Sequence, residues 1–151
     1  MAEIPVEHAS GRSAVRSLTP NLSRALVVMA LLLGMVAAAI SVSPGVRAAA
    51  VDAAGADLTR LLRGMAAIKA LLAVALLAGV AWRLSAPVSA LTLSAYGTAA
   101  FAMGSGLVLT WSMVSLGLGA VLLHAGLFGG LILFARDKAV GQRLNALLLR
   151  R

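Results

Sequence analysis

The chain has 151 residues, the length of a single domain, of which 61% are hydrophobic and only 12% are charged. This balance excludes an ordinary water-soluble globule and indicates a membrane protein. The formal net charge is +8, but aromatic residues make up only 4% of the chain and no basic face is interleaved with them, so we expect no binding to nucleic acid. The absence of cysteine also excludes disulfides and thiolate metal sites.

Four apolar segments are long enough to cross a bilayer. About 20 helical residues span a hydrocarbon core of about 30 Å. The last two segments share one apolar stretch, which we expect to turn at Thr110, Trp111 and Ser112. The sequence therefore predicts an all-α membrane protein with four transmembrane helices in an antiparallel bundle. The predicted spans are residues 25–43, 64–82, 88–109 and 112–135, which form one transmembrane domain at 25–135.

The distribution of basic residues predicts the orientation. With both termini inside, nine basic residues lie on the inner side and three on the outer side. Because cytoplasmic segments carry the excess of Lys and Arg, we expect both termini in the cytoplasm. The Ala-rich composition and short loops are typical of a multi-pass protein of the bacterial inner (cytoplasmic) membrane. The nine inner residues are Arg12, Arg16, Arg24, Arg83, Arg136, Lys138, Arg143, Arg150 and Arg151, and the three outer ones are Arg47, Arg60 and Arg63.

The segments outside the membrane are short. Residues 1–24 are predicted to be a flexible cytoplasmic tail, although a cleaved signal peptide ending near Ala50 is the alternative for the first span. Residues 44–63 are Ala-rich and favour a helix leading into the second span. Residues 136–151 form a basic cytoplasmic tail. It is either a plain basic stop or an amphipathic helix lying on anionic lipid, with one apolar face made by Val140, Leu144, Leu147 and Leu148.

All five acidic residues lie outside the predicted spans. This distribution excludes a proton-coupled exporter that depends on a membrane-embedded carboxylate, and it excludes acid/base pairs of carboxylates within the bilayer. The sequence also contains no phosphate-binding loop, metalloprotease motif or nucleophile triad, so we expect no enzymatic activity and no metal site. The acids are Glu3, Glu7, Asp52, Asp57 and Asp137.

His124 and Tyr96 form the candidate polar site within the membrane. Each lies near the middle of its predicted span, and a neutral histidine there needs one donor and one acceptor. We therefore predict a hydrogen bond between the two rings. Such a bond is either structural, contributing about 0.6 to 2 kcal/mol, or part of a proton or solute relay. Ligation of haem b by His124 is a further interpretation, which requires Met103 or a second chain as the other ligand.

Two further groups of residues are candidates for contacts. Arg60, Arg63 and Lys69 form a candidate outer basic cluster that attracts an anion or a lipid headgroup; in the simpler interpretation Lys69 only extends its ammonium to the outer interface. Small residues recur every four positions in the last two spans and predict close helix packing. These are Ser94, Thr98, Ala102 and Gly106 in the third span; in the fourth span, Ser115 and Gly119 are four apart, as are Gly126 and Gly130.

Three functions agree with these features. The leading hypothesis is a non-enzymatic accessory, assembly or scaffolding subunit of a membrane complex, because the chain has no soluble domain and no cofactor motif. Its partners would be the lipid bilayer and other integral membrane proteins, or further copies of the chain. The second hypothesis is a small oligomeric transporter or channel lined by Tyr96 and His124, and the third is a haem-binding electron carrier.

Overall fold

A computed structural model describes residues 19–149, and this part of the chain is helical with no strand. Four of its helices are long and apolar enough to cross a membrane. Residues 1–18 of the predicted N-terminal tail and residues 150 and 151 of the C-terminal tail lie outside the described residues. The helices are α1 (Pro20–Ile40), α2 (Pro44–Arg83), α3 (Ala90–Trp111), α4 (Leu116–Arg136) and α5 (Lys138–Leu148).

Local chemistry explains where these helices begin. Pro20 and Pro44 stand in the first turns of α1 and α2, where a missing N–H costs no hydrogen bond. The side chain of Ser89 caps α3 by accepting from the backbone N–H of Thr92, and Asp137 caps α5 by accepting from Ala139. Polar residues in the connections therefore supply partners for the backbone donors at these helix starts.

The first two helices differ in extent from the predicted spans. The first helix begins at Pro20 and ends at Ile40, so residues 20–24 of the predicted tail are helical. The predicted helix before the second span is part of α2, which extends over 40 residues and changes direction at Gly55. With φ of 76° and ψ of 166°, Gly55 has a conformation that is essentially restricted to glycine, and it separates residues 44–54 from the membrane helix.

The turn between α3 and α4 comes later than the sequence predicts. Thr110 remains in α3 because its hydroxyl donates to the carbonyl oxygen of Gly106, one turn earlier in the same helix. The chain reverses at residues 112–115 instead, where Met113 and Ser115 have φ values of 64° and 53°. Both residues adopt the left-handed conformation that a tight reversal requires.

Helix α3 lies at the centre of the fold. It packs extensively against α1 and α4 and contributes much of the buried core, including Tyr96, Ala100 and Met103. Gly34 of α1 meets the backbone of Phe101, and Gly106 of α3 meets the backbone of Leu123. Glycine allows these backbones to approach closely because no Cβ separates them.

Helix α2 is less tightly packed than the others. It makes fewer contacts with α3 and α4 than α1 and α4 make with α3. Leu71 and Val74, in the middle of α2, are largely exposed on the isolated chain. Large apolar side chains that point away from the core are expected where a helix faces lipid tails or another membrane helix.

Candidate functional site

His124 is the ninth residue of α4, and it lies about 200° around the helix from Gly126, which packs against α3. Its Nδ1 atom lies 2.7 Å from the carbonyl oxygen of Ala120. Because a carbonyl oxygen only accepts, Nδ1 carries a proton in this bond, and in the neutral ring Nε2 keeps its lone pair. The ring stacks on Phe128, with 5.8 Å between centroids, and Phe128 is 55% exposed. His124 therefore offers one hydrogen-bond acceptor on the outer surface of the helix pair.

The predicted hydrogen bond between Tyr96 and His124 is not formed, since the Tyr96 hydroxyl has no partner among the described residues. The register of α3 and α4 explains the difference. Tyr96 lies 15 residues before Trp111 at the end of α3, whereas His124 lies only eight residues after Leu116 at the start of α4. Seven residues at 1.5 Å each separate the two rings by about 10 Å along the helix axes.

Met103 does not lie beside His124 either. It packs against Gly126, where an added Cβ would lie 2.7 Å from the Met103 Cγ. His124 and Gly126 are two residues apart, which is about 200° around the helix, so they face different neighbours. No group of three or more His, Cys, Asp or Glu that is arranged for metal binding occurs in residues 19–149.

Tyr96 belongs instead to a polar cavity at the end of the bundle where α2 and α4 terminate. We call it the Arg83 cavity. It has a volume of about 370 Å³, and its polar lining comes from Arg83, Thr92, Tyr96, Arg136 and Asp137. His124 is not part of this lining. The two residues of the predicted polar site thus occupy separate environments.

A buried ion pair connects α2 to the end of α4. Arg83 Nε donates to Asp137 Oδ2, and the two side chains are only 7% and 11% exposed. The other carboxylate oxygen of Asp137 accepts from the backbone N–H of Ala139 and caps α5. Arg83 Nη1 is buried without a partner, as is the Tyr96 hydroxyl. Asp137 therefore satisfies one donor of Arg83 and leaves two other donors of the cavity unsatisfied.

From the sequence, Arg83 and Asp137 were expected only to be a basic and an acidic residue outside the spans. A signal for their pairing was present, because Arg83 is the last residue of α2 and Asp137, of opposite charge, directly follows α4. Opposite charges at two helix ends that an even-numbered bundle brings to one side are candidates for an ion pair.

Helix α5 is attached to this end of the molecule by Arg143. Its Nη1 atom donates to the Trp82 carbonyl oxygen at 3.2 Å and to the Ser85 hydroxyl at 3.0 Å. The guanidinium also lies 5.5 Å from the centre of the Trp82 ring, and Val140 is buried. The side chains of Leu144 and Leu147, which belong to the predicted apolar face, lie outside the described residues.

The residues of the predicted outer basic cluster do not come together. Arg60 is exposed and lies 3.9 Å from Asp57, one turn earlier. Arg63 lies over the Trp111 ring, 5.7 Å from its centre, and borders a separate cavity of about 770 Å³ with Arg47. Lys69 is half-buried on another part of α2. Positions 60 and 69 are nine residues apart, about 180° around a helix, and therefore face opposite sides.

The small residues of the last two spans divide between two environments. Gly106, Gly119, Gly126 and Gly130 all lie against neighbouring helices, whereas Ala102 is half-buried. Ser94 and Thr98 do not belong to the packed face of α3 and are exposed. The Ser94 hydroxyl donates to the carbonyl oxygen of Leu91, so it needs no helix neighbour to be satisfied.

Lys69 and His124 lie beside the same apolar groove between α2 and α4. The groove has a volume of about 410 Å³ and is lined by Leu72, Ala75, Leu76, Gly79, Leu127, Phe128, Leu131 and Phe134. Lys69 precedes Leu72 by three residues and His124 precedes Phe128 by four, so each lies one turn before the groove on the face of its helix that lines it. Neither side chain forms an ion pair with a described residue.

No protein-family model, curated protein or solved structure matches this chain.

Proposed function

We propose that this chain is a non-enzymatic accessory subunit of a bacterial inner-membrane complex, and that it binds a transmembrane helix of its partner in the groove between α2 and α4. The partner helix carries a carboxylate at the depth of Lys69 and His124. The observation that carries this proposal is the position of these two polar side chains at one end of an apolar groove, in a chain whose own spans contain no acid.

The contacts between helices support an antiparallel bundle with both termini in the cytoplasm. Gly106 meets Gly119 and Leu123, whereas Gly126 meets Ala99 and Met103, so residue numbers in α3 fall as those in α4 rise. At the end of α2, Arg24 donates to the Ala81 carbonyl oxygen at 2.9 Å. The start of α1 and the ends of α2 and α4 thus share one side, which is the side with most of the basic residues and hence the inner one.

Lys69 and His124 lie at a similar depth in the membrane. Arg63 contacts Trp111 at the outer boundary, and Lys69 follows it by six residues, or about 9 Å along α2. His124 follows Leu116 by eight residues, or about 12 Å along α4. The Lys69 ammonium and the His124 ring therefore lie at a similar level before the groove, in a region where unpaired polar groups are costly.

The groove itself fits a helix. It is apolar along its length, and the small side chain of Ala75 allows a second backbone to approach closely. The position of Gly79 is covered by the chain's own Phe134, whose ring lies 3.4 Å from an ideal Cβ at Gly79. A partner carboxylate would pair with the Lys69 ammonium, and its protonated form would donate to His124. A second copy of this chain offers no carboxylate from its spans.

A synthetic transmembrane helix tests this binding directly. The full chain, labelled with a fluorescent donor, is reconstituted in phosphatidylcholine vesicles with an acceptor-labelled Leu/Ala peptide that carries one central Asp. We expect energy transfer with the Asp peptide and little with the matched Leu peptide. Replacement of Lys69 by Met should remove the preference for Asp, because the ammonium no longer balances the carboxylate. The matched control is Lys138→Met, which removes a charge outside the groove.

Equal transfer with the two peptides, or a Lys69→Met variant that keeps the preference, would contradict the proposal. In cells, a photo-crosslinker at Leu131 should capture a membrane protein with an acid in a span, whereas one at Leu33 on the exposed side of α1 should not. Solute flux in vesicles that contain only this chain, and its loss in His124→Ala, would instead favour a transporter.

A further inference from the structure

The Arg83 cavity contains more hydrogen-bond donors than acceptors. Its one carboxylate, Asp137, already accepts from Arg83 Nε and from the backbone N–H of Ala139. Arg83 Nη1 and the Tyr96 hydroxyl remain buried without a partner, in residues that are 6% and 2% exposed. Buried donors are satisfied in most proteins, so an acceptor from another molecule is expected at such a site.

The charges and the walls of the cavity indicate which kind of molecule would supply this acceptor. Two guanidinium groups, from Arg83 and Arg136, oppose the single charge of Asp137, so one positive charge remains. The side that faces the membrane is apolar, with Leu91 81% exposed and Ile132 51% exposed. A ligand that matches both parts has an anionic head and a hydrocarbon chain.

We propose that the Arg83 cavity binds the phosphate headgroup of an anionic phospholipid, with an acyl chain along Leu91 and Ile132. Phosphate oxygens provide several acceptors in the geometry that guanidinium groups favour. The two donors without a partner, Arg83 Nη1 and the Tyr96 hydroxyl, are covered by neighbouring groups. The headgroup therefore reaches them after a side chain at the cavity wall rotates. Arg136 is exposed at the rim and provides the first contact.

Lipid titration of the purified full chain in dodecyl maltoside micelles tests the site. Dioleoyl phosphatidylglycerol, dioleoyl phosphatidylcholine and inorganic phosphate are added separately, and bound lipid is measured by native mass spectrometry and thermal stability. We expect selective binding of phosphatidylglycerol. Arg136→Gln should weaken it about fivefold, equivalent to about 1 kcal/mol for one basic residue near an anionic headgroup. The matched control is Lys138→Gln, because Lys138 is exposed nearby but does not line the cavity.

The Tyr96→Phe variant distinguishes an effect on lipid binding from an effect on folding. The hydroxyl has no partner within the described fold, so its removal should leave the protein at least as stable without added lipid. With phosphatidylglycerol, the variant should gain less thermal stability than the unmodified protein. Equal weakening by Lys138→Gln, equal binding of phosphatidylcholine, or full stabilisation by inorganic phosphate alone would each overturn the assignment to a lipid.

Discussion

Replacement of Gly106 by Ala tests whether direct contact between two backbones holds α3 against α4. A Cβ at Gly106 would lie 2.3 Å from the Leu123 nitrogen and 2.8 Å from its Cα. Ordinary contact begins at 3.4 Å, so the helices would have to separate by about 1.1 Å to accommodate this Cβ. A gap of 0.5 to 1 Å forfeits a quarter to a half of the dispersion energy at each contact.

The expected cost of Gly106→Ala is about 1 to 3 kcal/mol in the free energy of unfolding, the usual range for an overpacked interior. Gly129→Ala is the matched control, because Gly129 lies in α4 and an added Cβ there meets nothing within 4 Å. At that open position, Ala should be neutral or stabilise the helix by up to about 1 kcal/mol.

Reversible unfolding in mixed micelles of dodecyl maltoside and increasing sodium dodecyl sulfate, followed by circular dichroism, measures both variants. The two substitutions add the same methyl group, so their difference reports the space around each glycine. If Gly106→Ala were as stable as Gly129→Ala, the close contact between α3 and α4 would not contribute to the free energy of unfolding.

Three further predictions concern the ends of α2. Arg83→Met should lower the free energy of unfolding by about 3 to 5 kcal/mol, because it leaves the Asp137 carboxylate buried and unpaired, and adding Asp137→Asn should recover much of this loss. Arg143→Ala should release α5, raising its cleavage by chymotrypsin and shifting the fluorescence of Trp82, at a cost of about 0.5 to 1 kcal/mol for the cation–π contact. Gly55→Ala should cost about 1 to 3 kcal/mol because of its φ of 76°, and should raise hydrogen exchange in residues 44–54.

Each of these predictions has a control on the same element. Gly64→Ala adds a methyl group to α2 where an added Cβ meets nothing within 4 Å, so it should not share the effect of Gly55→Ala. Lys138→Ala removes an exposed basic residue from α5, and chymotrypsin should cleave α5 no faster in that variant. A loss for the double substitution at Arg83 and Asp137 as large as that for Arg83→Met alone would argue against the ion pair as the cause.

The four membrane helices follow from the sequence because the bilayer imposes a simple length and polarity rule. Every backbone group in the hydrocarbon core must be satisfied within the segment, which makes about 20 apolar residues a strong helix signal. Close packing of helices in lipid favours glycine where two backbones meet, and the close contacts at Gly126 and Gly106 agree with this preference. It does not identify which of several small residues on one helix face a neighbour, as exposed Ser94 and Thr98 show.

The partners of polar residues were harder to predict because they depend on register between helices. The turn at residues 112–115, in which Met113 and Ser115 have positive φ, determines how far α4 is shifted along the axis of α3. This shift separates His124 from Tyr96. The spacing of residues within one helix does not show how far that helix is shifted along its neighbour. Distance from a span along the sequence was also a poor guide to burial, since Asp137 directly follows α4 and its side chain is nevertheless only 11% exposed.

The attachment of α2 at its C-terminal end bears on the helix binding that we propose beside Lys69. Three arginines meet the end of α2: Arg24 donates to Ala81, Arg143 donates to Trp82, and Arg83 pairs with Asp137. Cations are favourable at a helix C-terminus, so these contacts also stabilise the helix dipole. Lys69 forms no ion pair with a described residue, although Ala66 and Ala73 of the same helix are buried. A helix docking beside Lys69 would therefore break no ion pair, whereas one docking at Arg83 would have to displace a buried one.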